Sequence, residues 1–249
     1  MIASTRGTIL WLTGWSMPDT VFDRLRELMP DIHHVSVEYS DADSPEKMLL
    51  LTETAVQNLM TTECKTRAFR GPLLIGGWSL GGLLALRLAV KGFADGLVLF
   101  AATACFTRSN EERDRGWPDA YVRQMIKGLM KDPQGVETKF RQNMFTETEW
   151  EDGLGKRFPL IGSWTTPALI AGLQILRGEE VLSGLPEIKC PVLLVHGTED
   201  KICPYNAAAE LAAQLPQAEL LSIPDCGHAP FLGREDEIAE ELRRWWDEQ

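Results

Sequence analysis

Short apolar runs bounded by turn residues alternate along this chain with longer segments in which apolar residues recur every three or four positions. The short runs are typical of buried strands, and the longer segments are typical of amphipathic helices. We predict strands at 8–13, 34–38, 73–76, 96–101, 192–196 and 219–223, and helices at 21–29, 45–59, 80–90, 205–215 and 235–247. Because strands that alternate with helices form βα units, the pattern predicts an α/β fold with a largely parallel sheet.

The alternation is interrupted between residues 105 and 185. This segment carries several tryptophan, methionine and phenylalanine residues and has prolines at 118, 133, 159 and 167. A loop of this length without secondary structure would be unusual in a compact domain. We therefore predict a helical insertion at 105–185, called the lid segment below, within a single domain whose core consists of 1–104 and 186–249.

Composition and charge narrow the class of protein. The 249 residues are 44% hydrophobic, which is ordinary for a globular protein, and the first apolar run, at 8–12, is far too short for a signal peptide or a membrane span. We expect a cytoplasmic monomer. The net charge of −11 would repel nucleic acid and anionic membranes, so we expect neither as a partner.

The cysteines predict neither a disulfide framework nor a zinc cluster. They are five in number, an odd count, and no two of them form a C-x-x-C pair. We expect reduced thiols, and we expect neither a metal nor an organic cofactor. The five are Cys64, Cys105, Cys190, Cys203 and Cys226.

The sequence G-W-S-L-G at 77–81 lies between a predicted strand and a predicted helix. This is the context of the G-x-S-x-G nucleophile elbow, in which glycines on both sides of the serine let the strand and the helix approach closely. Ser79 is therefore the predicted nucleophile of a hydrolase. Because a serine hydroxyl is a weak nucleophile near neutral pH, it needs a base and an acid that orients the base.

One of the four histidines stands out as the base. His228 lies in the loop P-D-C-G-H-A-P-F at 224–231, between the last predicted strand and the last predicted helix. That is where a hydrolase with this elbow presents its histidine. The others lie in or beside predicted strands, where we expect structural roles: His33, His34 and His196.

The acid is predicted from chain order. In the order Ser, acid, His it lies between residues 79 and 228. Asp200 follows the strand at 192–196 on the carboxyl edge of the sheet, where α/β sites assemble. We predict Asp200, with Glu199 and Asp225 as alternatives.

Backbone N–H groups are expected to bind the oxyanion that forms during ester hydrolysis. One donor normally belongs to the residue after the nucleophile, here Leu80, and the other to the loop after an early strand. The sequence T-G-W-S at 13–16 follows the first predicted strand, and Gly14 would let the backbone approach a substrate. We predict Trp15 as the second donor, the alternative being an ordinary glycine turn with a core tryptophan.

Further motifs lie along the chain: C-F-T-R at 105–108, W-P-D at 117–119, G-L-Q-I-L at 172–176 and G-H-A-P-F at 227–231. Together with the tryptophan before Ser79, they resemble the pimeloyl-acyl-carrier-protein methyl ester carboxylesterases of biotin synthesis. The resemblance implies an α/β-hydrolase fold, with a mostly parallel central sheet flanked by helices and a helical lid. It also implies that Ser79 attacks a methyl ester, with Asp200 and His228 completing the triad.

The resemblance further implies which residues meet the substrate and its carrier. The segment 140–144 would line the substrate channel beside the catalytic residues. The implied substrate-binding residues are Trp15, Ser79, Leu80, Phe140, Arg141, Gln142, Asn143, Met144 and His228. Acyl carrier protein is acidic, so basic side chains of the lid segment would dock it, unless they form an ordinary solvated helix face. These are Arg123, Lys127, Lys131, Lys139 and Arg141.

The chain departs from the resembled family in three places. Thr13 stands where the family usually has histidine, the sequence at 38–45 replaces a glycine-rich turn, and few residues precede the first strand. The same triad would also serve a thioesterase, a short-chain carboxylesterase or a carbon–carbon bond hydrolase. A non-catalytic ligand receptor of the same fold is the alternative from another class.

Overall fold

The computed structural model describes residues 6–61 and 71–249, so Cys64 lies outside the described residues. Strands and helices alternate in the first part of the chain: β1 (Thr8–Leu12), α1 (Asp23–Leu28), β2 (His33–Ser36), α2 (Pro45–Met60), β3 (Leu73–Trp78), α3 (Leu80–Val90) and β4 (Gly96–Phe100). The lid segment contains β5 (Thr107–Arg108), β6 (Trp117–Pro118), α4 (Asp119–Leu129), α5 (Pro133–Gln142), α6 (Glu147–Glu151) and α7 (Thr166–Gly178). The last part contains β7 (Val192–Gly197), α8 (Tyr205–Gln214), β8 (Ala218–Ile223) and α9 (Glu235–Asp247).

The main sheet has the strand order β2-β1-β3-β4-β7-β8, and each neighbouring pair is parallel. Strands β1, β3, β4 and β7 are buried along their whole length because helices cover both faces of the sheet. The carboxyl ends of parallel strands meet at one edge. The loops that follow β1, β3, β7 and β8 are therefore brought together there, which is the usual position of a site in an α/β fold.

The predicted α/β fold with a parallel sheet and flanking helices is confirmed. The predicted helix at 80–90 has the observed bounds of α3, and most other predicted elements end within a few residues of the observed ones. The predicted helix at 21–29 differs most. It begins as a 3₁₀ turn, Asp19–Phe22, and only then continues as α1.

Helix α3 crosses the end of β1 at very short range. A Cβ atom on Gly81 would lie 2.0 Å from the carbonyl oxygen of Leu12, and one on Gly77 would lie 2.4 Å from the carbonyl oxygen of Gly81. No side chain fits in these gaps. The glycines of the elbow are therefore required by packing, as the sequence motif predicts.

Two further properties concern the part of the chain that is described. None of its helices combines the length and the apolar composition needed to cross a membrane. Within residues 6–61 and 71–249, no three His, Cys, Asp or Glu side chains are grouped so that they could hold a metal ion. The cysteines Cys105, Cys190, Cys203 and Cys226 are free thiols.

The contact between α3 and β1 predicts a large effect of one methyl group. Gly81→Ala should lower the free energy of unfolding by about 3 kcal/mol, because the new Cβ forces the helix away from the strand. Gly178→Ala is the matched control, since a Cβ there meets nothing within 4 Å. Equilibrium unfolding in urea measures both variants. Equal stability of the two would contradict this account of the packing.

Candidate active site

Ser79 lies on the turn between β3 and α3, with its backbone in the left-handed region at φ 56°. Such a conformation is strained for a residue with a side chain and persists only where the surroundings impose it. Here the Ser79 N–H donates to the carbonyl of Phe100 at 3.0 Å, and α3 is held against β1 by its glycines. The turn directs the hydroxyl towards the carboxyl edge of the sheet.

His228 bridges Ser79 and Asp200. Its Nε2 lies 2.8 Å from the Ser79 Oγ, and its Nδ1 lies 2.7 Å from Asp200 Oδ2. An ionised carboxylate only accepts hydrogen bonds, so Nδ1 carries the proton and Nε2 is left to accept the serine hydroxyl. All three side chains are buried. The arrangement has the connectivity of a Ser-His-Asp triad.

The carboxylate of Asp200 is fixed by the loop that carries it, residues 198–204, called the β7 loop here. Its Oδ1 accepts from the backbone N–H groups of Ile202 at 2.8 Å and Cys203 at 3.0 Å, which leaves Oδ2 for His228. The two alternative acids, Glu199 and Asp225, are exposed. The structure thus brings Asp200 to the histidine, while its catalytic role stays a prediction.

Two residues of the site were not singled out as functional in the sequence. His196 Nε2 lies 2.7 Å from the Cys203 carbonyl oxygen and 3.4 Å from Asp200 Oδ2, and burial lowers the pKa of this imidazole. The Cys203 thiol lies within hydrogen-bonding reach of the Ser79 side chain, and burial raises its pKa. His196 ends a buried strand and Cys203 is a lone thiol, so neither gave a signal beyond a core position.

The loop after β1, residues 13–18, is called the β1 loop. The Trp15 indole is buried, and its Nε1 donates to the Leu169 carbonyl at 2.7 Å. Thr13, which replaces the usual histidine, donates through Oγ1 to the Tyr39 hydroxyl at 3.1 Å, and that hydroxyl donates back to the Thr13 carbonyl. Tyr39 therefore supports this loop at the position where the resembled family usually has histidine. Oxyanion binding by Trp15 and Leu80 stays a prediction.

Trp78, the residue before Ser79, connects the turn between β3 and α3 to two other loops. Its Nε1 donates to the His228 carbonyl at 2.8 Å. Its ring packs against Gly14, where a Cβ would lie only 3.0 Å away, and against Phe231 in an edge-on contact. This tryptophan thus helps to set the spacing between the β1 loop, the elbow and the histidine.

Only some residues of the segment 140–144 lie next to this site. The Phe140 ring meets the Trp15 indole edge-on at 4.9 Å between centroids, and the Met144 carbonyl accepts from the His228 N–H at 2.6 Å. Gln142 and Asn143 are exposed. Phe140 and Met144 thus reach the site, while direct contact of any of these residues with a substrate stays a prediction.

Arg141 is not a surface residue. It is only 8% exposed, and its guanidinium donates to the carbonyls of Ser16, Pro159 and Leu160. The prediction that it docks a carrier protein is therefore wrong, because a buried guanidinium committed to carbonyl groups cannot contact a partner. The other four predicted docking residues are exposed: Arg123, Lys127, Lys131 and Lys139.

A groove between α4 and α5 leads from this basic surface towards Phe140. It has a volume of about 430 Å³, and its lining includes Trp117, Tyr121 and Lys139. A second depression of about 370 Å³ shares Trp117 and Tyr121 and extends to Lys201, beside Asp200. The two hollows run from the outer face of the lid segment to side chains that contact the β1 and β7 loops.

Residues 10–241 match the model of the alpha/beta hydrolase family. The pimeloyl-[acyl-carrier protein] methyl ester esterase of Nitrosomonas europaea is 31% identical over 238 residues, covering 90% of this chain and 89% of its own. The enzyme of the same name from Xanthomonas campestris pv. campestris is 32% identical over 247 residues, covering 95% and 94%. These relatives confirm the resemblance that the motifs indicated.

Solved structures show the same fold at lower sequence identity. An esterase from Exiguobacterium antarcticum superposes with a TM-score of 0.78 at 20% identity, covering 97% of this chain and 92% of its own. A bromoperoxidase from Bacillus anthracis gives 0.81 at 13% identity, covering 98% and 93%. At such identities the likeness concerns the fold alone.

The buried His196 predicts a dependence of stability on pH. Burial lowers its pKa from 6.5, and the Asp200 carboxylate offsets this in part. The unfolded chain therefore takes up this proton at a higher pH than the folded protein does, so the stability that depends on neutral His196 is full above about pH 6.5 and falls as the pH drops below it. His196→Gln should flatten this decline, by up to about 1.4 kcal/mol per pH unit. Unfolding free energies between pH 5 and 7.5 measure it, and equal slopes in both proteins would contradict the assignment.

Proposed function

We propose that this chain, which belongs to the α/β-hydrolase family, hydrolyses a carboxylic ester through an acyl-enzyme formed on Ser79. The observation that carries the proposal is the chain of hydrogen bonds from Ser79 Oγ through His228 to Asp200. This connectivity gives the serine a base and gives the base a fixed orientation. Its curated relatives, which share about a third of its residues, are named as ester hydrolases.

The proposed reaction has two halves. In the first, His228 Nε2 takes the Ser79 proton as Oγ attacks the ester carbonyl, and the resulting oxyanion accepts hydrogen bonds from the Trp15 and Leu80 N–H groups. The imidazolium, stabilised by Asp200, then gives its proton to the departing alkoxide. In the second half, His228 activates water, which attacks the acyl-enzyme, releases the acid and returns the proton to Ser79.

We propose the methyl ester of pimeloyl-acyl-carrier protein as the substrate, in biotin biosynthesis. The names of the curated relatives support this choice, as do the motifs at both ends of the lid segment. The groove between α4 and α5 is a suitable path for a long acyl arm, because aromatic rings line it and it leads to Phe140 beside Trp15. The segment 105–185 would thus serve as the lid over the substrate.

We further propose that an acidic carrier protein binds the outer face of α4 and α5. Lys127, Lys131 and Lys139 are exposed there, and Lys139 also lines the groove. Arg123 is exposed but forms an ion pair with Asp119 at 3.0 Å, which partly neutralises it. A positive surface of this kind on an otherwise acidic chain would favour one docking orientation.

Substitutions in the triad test the proposed reaction. Ser79→Ala and His228→Ala should each lower kcat by at least about 10³-fold, and Asp200→Asn by about 10³- to 10⁴-fold, since a triad acts as a unit. Release of methanol from a pimeloyl methyl ester measures the rate.

His33→Gln is the matched control for the triad substitutions. His33 lies at the amino end of β2, whereas the site lies beyond the carboxyl ends of the strands. This variant should keep the wild-type rate. Wild-type turnover by the Ser79 or His228 variant would overturn the proposal. If the wild-type protein hydrolyses a pimeloyl thioester much faster than a pimeloyl methyl ester, it is a thioesterase instead.

Charge reversal tests the carrier-binding surface. The double variant Lys127→Glu and Lys131→Glu should raise KM for the carrier-bound methyl ester about tenfold or more and leave KM for free dimethyl pimelate within about twofold, because neither lysine lines the groove. Lys189→Glu is the control, because Lys189 is exposed and lies outside the lid segment. It should change neither KM value. An equal effect of the double variant on both substrates would refute docking at this surface.

A further inference from the structure

Two carboxylates of the lid segment are buried although the proposed reaction uses neither. Glu137 on α5 is 1% exposed and Glu149 on α6 is 4% exposed. A buried carboxylate is costly unless hydrogen bonds or an opposite charge compensate it. The groups that compensate these two belong largely to the loops that carry the proposed catalytic machinery.

Glu137 holds the residue that follows Trp15. Its Oε1 accepts from the Ser16 hydroxyl at 2.6 Å and from the Gly162 N–H at 3.4 Å. Ser16 has a backbone φ of 67°, a strained value for a residue with a side chain, which therefore needs support from its surroundings. The peptide unit between Trp15 and Ser16 carries the Trp15 carbonyl, so the conformation of Ser16 constrains the Trp15 backbone and, through it, the direction of the Trp15 N–H.

Other contacts from the lid segment act on the same stretch of chain. The Arg141 guanidinium donates to the Ser16 carbonyl at 3.1 Å, and Trp164 Nε1 donates to the Met17 carbonyl at 2.9 Å. The Trp15 indole donates to the Leu169 carbonyl. Three consecutive residues of the β1 loop are thus hydrogen-bonded to the lid segment. Arg141 also places a positive charge one helical turn from Glu137, which offsets the burial of that carboxylate.

Glu149 holds the loop that carries His228, residues 224–231, called the β8 loop here. Its Oε2 accepts from the Gly227 N–H at 3.0 Å, directly before the histidine, and from the Thr146 N–H at 3.0 Å. Arg234 lies 3.6 Å from its other oxygen. A few residues earlier, the Met144 carbonyl accepts from the His228 N–H itself.

We propose that Glu137 and Glu149 are positioning residues through which the lid segment holds the β1 loop and the β8 loop in their reactive geometry. Glu137 fixes the direction of the Trp15 N–H by holding Ser16, and Glu149 fixes the position of the His228 ring by holding Gly227. The lid segment then has a second function besides covering the substrate. This inference rests on the proposed esterase activity, because it assigns roles relative to Ser79 and His228.

A double-mutant cycle in the full-length protein tests the first contact. Glu137→Ala and Ser16→Ala should each lower kcat for a soluble aryl ester about 10- to 100-fold with KM within about threefold, because an oxyanion donor acts mainly on the transition state. Combining them should lower kcat no further than the larger single effect, since each substitution removes the same hydrogen bond between Ser16 and Glu137. Glu137→Gln, which keeps an acceptor for Ser16, should recover most of the rate.

Glu149 is tested in the same way. Glu149→Ala should lower kcat by a similar factor, and Glu149→Gln should recover most of it because its amide oxygen still accepts from Gly227. Each value of kcat is calculated per active site, and the active sites are counted by prolonged labelling with a fluorophosphonate. Misfolded protein, which is not labelled, is thereby excluded. Glu151→Ala, which removes an exposed carboxylate from the same helix, is the matched control and should keep the wild-type kcat.

The outcomes separate this inference from the proposed function. If Ser79→Ala loses activity while Glu137→Ala and Glu149→Ala keep the wild-type kcat per labelled site, the positioning roles are refuted and the esterase stands. Multiplicative effects of Glu137→Ala and Ser16→Ala would refute the contact between them as the cause. If Ser79→Ala itself keeps its activity, the proposed function fails.

Discussion

The close contact between α3 and the end of β1 is the constraint on which the rest of the site depends. The backbone of Gly81 lies against the carbonyl of Leu12, so the helix that follows Ser79 is fixed relative to the strand that leads into the β1 loop. The same contact helps to hold Ser79 in its left-handed conformation. The close approach of α3 to β1 therefore positions both Ser79 and the loop that carries the predicted oxyanion donor.

The parallel sheet supplies the other loops, and the lid segment ties them together. Asp200 and His228 follow β7 and β8, whose carboxyl ends lie at the same edge as that of β3. Glu137, Glu149 and the backbone carbonyl of Met144 accept hydrogen bonds from the β1 loop and the β8 loop, and so join these two loops to the lid segment. The proposed site is thus formed by loops of the sheet and held from outside by the lid segment, and this proposed role accounts for the two buried carboxylates of that segment.

Much of this arrangement was predictable from local patterns. The elbow has a fixed spacing of glycines around Ser79, and the strands of a parallel sheet are short and continuously apolar, so both leave a clear signal. The pairing of His228 with Asp200 followed from chain order and the sheet edge, not from any contact visible in the sequence.

Residues whose roles depend on distant partners were not predictable. The sequence predicts that Arg141 docks a carrier protein because it is basic and lies in a segment with other basic residues, whereas it is buried against carbonyls of Ser16 and the 159–160 segment. Glu137 and Glu149 look like ordinary charged helix positions. Their partners lie 121 and 78 residues away, and a single sequence does not encode such contacts in any local period.

The central claim is that Ser79 forms an acyl-enzyme, and trapping that intermediate tests it most directly. The protein is mixed with an activated pimelate monomethyl ester, quenched in acid within milliseconds, digested and analysed by mass spectrometry. The acyl group should be found on the peptide that contains Ser79, and it should not form on the His228→Ala variant. An acyl group on another residue, or turnover without any covalent intermediate, would contradict it.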